Sequence, residues 1–107
     1  MRRRNYGDNT QKLAGNEQIA DEVSNNPHGI GYVGLAYLSH GDLVPVAIDG
    51  ALPSLTAIRN GDYALSRPLY LIVDDANLAP VVEAFIDYIL SPAGQALLQQ
   101  ARYAPVH

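Results

Sequence analysis

Apolar and polar positions along the 107 residues alternate between two periods, and the switches between them outline seven elements. Ile19, Ala20 and Val23 recur at helical spacing behind Asn16, an N-cap residue type, and the run "SNNPHG" stops that helix. Ile30, Tyr32 or Val33, and Leu35 then predict a strand, although Gly29, Gly31 and Gly34 interrupt it. Glycine weakens a strand, so its presence there points to a close backbone approach. "LVPVAID" reads as a second short strand, with Pro45 restricting it to an edge or a crossing segment. Ser54 caps a short helix through Ile58 that closes at Asn60 and Gly61. Leu69 to Val73 form a third apolar strand. From Pro80 to Leu90 the pattern is that of an amphipathic helix, with Val81, Val82, Phe85, Ile86 and Ile89 on one side. Ser91 and Pro92 start a last helix carrying Ala96, Leu97 and Leu98. The order helix, strand, strand, helix, strand, helix, helix predicts the α/β class.

Composition changes that picture at one end only. A hydrophobic fraction of 48% without a low-complexity tract fits a folded chain of one domain. Arg2, Arg3 and Arg4 supply three of the seven basic residues, which leaves four against eleven acidic ones from residue 5 onward. Residues 1–12 are therefore expected to be a flexible basic tail and residues 13–107 a single acidic α/β domain. A body of that charge has no clustered basic surface for nucleic acid. No apolar stretch follows the arginines, so no signal peptide is read there. Cysteine is absent, which excludes disulfides and thiolate chemistry. No window approaches the roughly 18 apolar residues of a membrane span.

Candidate chemistry is sparse. His28, His40 and His107 lie far apart with no i,i+4 partner, and no metal site or cofactor is expected from them. No nucleophile elbow surrounds any serine, and "GIGYVG" lacks the Lys-Ser/Thr of a phosphate loop, so no catalytic residue is assigned. Asp74 and Asp75 are adjacent and point to opposite faces of an extended chain, as expected before a helix. Arg67, held beside Pro68 where the apolar run begins, is expected either to clamp neighbouring segments or to contact an anion.

Three segments, "PHGIGYVGLAYL", "VPVAIDGALPSLTAIRNGDYALSRPLYLIV" and "VVEAFIDYILSPAGQALLQQARYAPV", occur in an order and spacing that resembles the carboxy-terminal part of the periplasmic phosphate-binding proteins of ABC transporters. The resemblance covers residues 27 to 106. It implies a partial type II periplasmic-binding-protein fold, a three-layer α/β arrangement with crossing or hinge strands near residues 44–48 and 66–73. It also implies phosphate or a similar oxyanion as ligand, a transporter permease as partner, a location outside the cytoplasm, and no enzymatic activity. "RNYGDNT" at residues 4–10 departs from the family's Arg and Ser-Gly-Thr phosphate motif, so no ligand is carried over onto it. The candidates are Arg67 and Ser66. A carboxy-terminal portion would leave apolar faces uncovered, and a homodimer built by exchange of strands or helices is the expected response. The alternatives are a phosphatase-like relative of the family and a truncated, self-associating remnant without ligand.

Overall fold

The computed structural model describes residues 5–107; the Arg2–Arg4 part of the expected basic tail lies outside the described residues. The chain divides into two compact units, Met1–Leu43 and Val44–His107.

In the first unit, α1 (Asn16–Asn25) is built on the expected spacing, and Ala20 is buried on its inner face. Asn16 does not cap it. Gly15 takes the cap position with no side-chain bond, and the Asn16 amide oxygen instead accepts the Gly34 N–H at 3.1 Å. Two further side chains of α1 hold the segment that follows: His40 Nε2 lies 2.6 Å from Asp21 Oδ1, and Ser24 Oγ accepts the Asp42 N–H at 3.0 Å. Gly31 marks the close approach that its position suggested, since a Cβ there would sit 2.7 Å from Ile19 Cγ2. The Tyr6 and Tyr32 hydroxyls meet at 3.4 Å, and that hydrogen bond pushes the Tyr6 hydroxyl above the ordinary tyrosine range.

In the second unit, α2 (Leu55–Asn60) is capped by Ser54 Oγ, which accepts the Ala57 N–H at 3.0 Å. Gly61 ends it in the left-handed region at φ 80°, as the closing Asn-Gly pair predicted. α3 (Pro80–Leu90) and α4 (Pro92–Gln100) pack against each other across a one-residue corner at Ser91. Ser91 Oγ accepts the Gly94 N–H and donates to the Tyr88 carbonyl at 2.5 Å. Gln95, buried beneath the corner, donates to the Ile89 carbonyl at 2.8 Å and accepts the Val106 N–H at 2.7 Å, so the carboxy-terminal segment is tied back to the helix pair. Gly94 is required here because an added Cβ would lie 2.6 Å from the Ile89 carbonyl oxygen.

The three expected strands do not form. Among the described residues the only β pairing is an isolated antiparallel bridge between Ile48 and Ala51, and residues 30–34 and 66–74 belong to no ladder. Leu35–Ser39, where the first strand was expected to end, turns instead into a 3-10 helix. A helix satisfies its backbone within its own segment, whereas a strand must be given a neighbour along its length, and among the described residues these segments have no such neighbour beyond the single Ile48–Ala51 bridge. The same shortage shows in the surface. Leu69, Tyr70, Leu71 and Ile72 are each more than half exposed, and so are Val81 and Phe85 on α3.

Candidate functional site

The turn after α2 brings the two central cations of the second unit together. From Gly61 the chain reverses, with the Asp62 and Tyr63 N–H groups both donating to the Ala57 carbonyl at 2.8 and 3.3 Å. The Ser66 hydroxyl donates to the Tyr63 carbonyl at 2.9 Å and closes the turn, and Pro68 then fixes the direction in which the chain leaves. Arg67 is thereby laid beside Arg59 of α2. Both line one groove of about 350 Å³ with Ser66 and Pro68, and residues 104–106 form its other wall.

Arg59 also borders a second groove of about 760 Å³, whose polar lining is Thr56, Asn60, Gln95, Gln99 and His107. No Asp or Glu side chain lines either groove, although acidic residues outnumber basic ones in the chain as a whole. Neither arginine is in an ion pair among the described residues, where the one such contact is His40 with Asp21. Two guanidinium groups free of carboxylate form the part of this unit best suited to an anion.

Both sequence candidates, Arg67 and Ser66, fall in this groove. The link to residues 44–48 runs through Tyr63, whose hydroxyl donates to the Val46 carbonyl at 3.3 Å. Arg59 was missed by sequence reading. Its only signal is a basic residue in the last turn of a helix that ends in glycine, followed by a turn short enough to return the chain. His28 and His40 lie in the first unit and His107 borders the larger groove. Among the described residues no three His, Asp or Glu side chains are grouped to hold a metal ion. No single helix there is long and apolar enough to cross a membrane.

The chain belongs to the PBP superfamily, whose domain matches residues 5–93. Its relatives narrow the class. It is 36% identical over 84 residues to the phosphate-binding protein PstS 2 of Streptococcus agalactiae, covering 78% of this chain and 28% of that protein. The phosphate-binding protein PstS 2 of Streptococcus pneumoniae is 32% identical over 90% of this chain and 34% of its own length. The phosphate-binding protein PstS of Staphylococcus epidermidis is 35% identical over 80% of this chain and 29% of its own. The resemblance read from the three motifs therefore stands. The chain spans about a third of the length of these curated relatives. No solved structure matches it.

Proposed function

We propose that this chain is the carboxy-terminal part of the phosphate-binding component of an ABC-type uptake system, without catalytic activity. The observation that carries the reading is that relatives named phosphate-binding proteins match 78% or more of its residues. The component works outside the cytoplasm and delivers phosphate to a transporter permease. Residues 30–35, 44–48 and 69–73 become strands of an α/β fold once a partner supplies their backbone hydrogen bonds, and a second copy of the chain is that partner. The segments near 44–48 and 66–73 act as the crossing strands.

In this reading Arg67 and Arg59 hold the oxyanion by charge-assisted hydrogen bonds. Ser66 already spends its proton on Tyr63, so its oxygen receives the hydroxyl of a protonated phosphate.

Isothermal titration of the intact chain with phosphate, with sulfate as control, tests the proposal. Saturable heat with phosphate is expected. Arg67→Ala is expected to weaken the binding at least tenfold, since a hydrogen bond to a charged group contributes about 1.5–3 kcal/mol. Absence of heat at millimolar phosphate would remove ligand binding from this chain, and binding unchanged by Arg67→Ala would remove the groove from the site.

A further inference from the structure

The groove that holds Arg59 and Arg67 has two unlike walls. On one side stand the two arginines with Ser66 and Pro68, and on the other Ala104, Pro105 and Val106. The second wall offers an anion little to bond with. Its side chains are apolar, Pro105 carries no N–H, and the Val106 N–H already donates to Gln95 Oε1 at 2.7 Å. Its effect on a bound anion is to exclude water, which lowers the local dielectric and strengthens the guanidinium contacts opposite. Such an effect depends on where the wall stands.

Two contacts set that position. Beyond α4 the Arg102 N–H donates to the Gln99 carbonyl at 3.0 Å and the Tyr103 N–H to the Leu98 carbonyl at 2.9 Å, with Arg102 in the left-handed region at φ 66°. Past this turn, among the described residues, the bond from Val106 to Gln95 is the one hydrogen bond that residues 104–107 make.

Gln95 suits that task as few side chains do. It is 5% exposed, and its amide sits between a carbonyl that can only accept and an N–H that can only donate. Nε2 donates to the Ile89 carbonyl at 2.8 Å while Oε1 faces Val106, and one orientation of the amide satisfies both. A hydrocarbon side chain would satisfy neither group, and an ionised carboxylate only one. Ile89 is the penultimate residue of α3 and Gln95 belongs to α4, so the amide fastens the groove wall to both helices of the corner.

We propose that Gln95 is a positioning residue of the anion groove: by holding Val106 it keeps the 104–106 wall opposite Arg59 and Arg67, and so raises the affinity for an anion it does not touch. This rests on the phosphate reading of the groove given above.

Phosphate titration of the intact chain and of Gln95→Met tests it, with amide hydrogen exchange at Val106 as a second readout. Methionine keeps an unbranched side chain and removes both bonds. Gln95→Met is expected to bind phosphate about fivefold more weakly, in the range of one hydrogen bond, with its helical circular dichroism retained. Coupling is reciprocal, so saturating phosphate is expected to slow exchange of the Val106 N–H in the unaltered chain about fivefold as well. A wall held for stability alone would show no such slowing, and this readout decides the matter if Gln95→Met loses its helices. No heat from the unaltered chain overturns the phosphate reading and this role together. Binding that Arg67→Ala weakens but Gln95→Met leaves unchanged, or exchange at Val106 indifferent to bound phosphate, overturns the role of Gln95 alone.

Discussion

The α3–α4 corner and the segment 66–74 belong to the same unit and are both rich in large apolar residues, yet only one of them is structured by its own chain. At the corner, backbone groups are satisfied by helical neighbours, and the remaining ones by Ser91 and Gln95. Along 66–74, Leu69 to Ile72 remain exposed without a ladder. Hydrophobicity alone did not order the second segment. Apolar surface gives no direction, and a strand acquires its geometry from the hydrogen bonds of a neighbour.

Substitutions can break this contrast from either side. The largest effect is expected from Gly94→Ala, because the Cβ meets the α3 backbone rather than a side chain that could move aside. A loss of about 2–3 kcal/mol, in the range of overpacked sites, should appear as an earlier helical transition in urea followed by circular dichroism. Gln95→Leu is next. It removes the partners of the Ile89 carbonyl and the Val106 N–H, and a cost of about 1–3 kcal/mol is expected in the same experiment. Ile72→Ala should have the smallest effect on the helical transition, within about 0.5 kcal/mol, since its side chain is 92% exposed. A larger change in dilute solution would show that the segment is structured within the single chain.

The groove and the first unit show a different kind of dependence. Arg67 stood out in the sequence because an arginine beside a proline has few reasons to precede an apolar run. Arg59 carried no such mark, and its place beside Arg67 depends on the reversal between Gly61 and Ser66. Asn16 shows that even a familiar local signal can be redirected. It has the residue type of a cap, but its amide oxygen holds Gly34, eighteen positions away.

The sequence by itself determined the four helices, with their caps at Ser54 and Ser91 and the stop at Gly61, because a helix is closed by bonds between residues four apart. It also determined the family, through the order of three motifs that no single one could have specified. Tertiary structure alone decided that Arg59 joins Arg67, that Gln95 ties down the carboxy-terminal segment, and that among the described residues the three apolar runs form no ladder. Each of these depends on contacts between distant residues, and a strand in particular is defined by a partner that its own sequence does not contain.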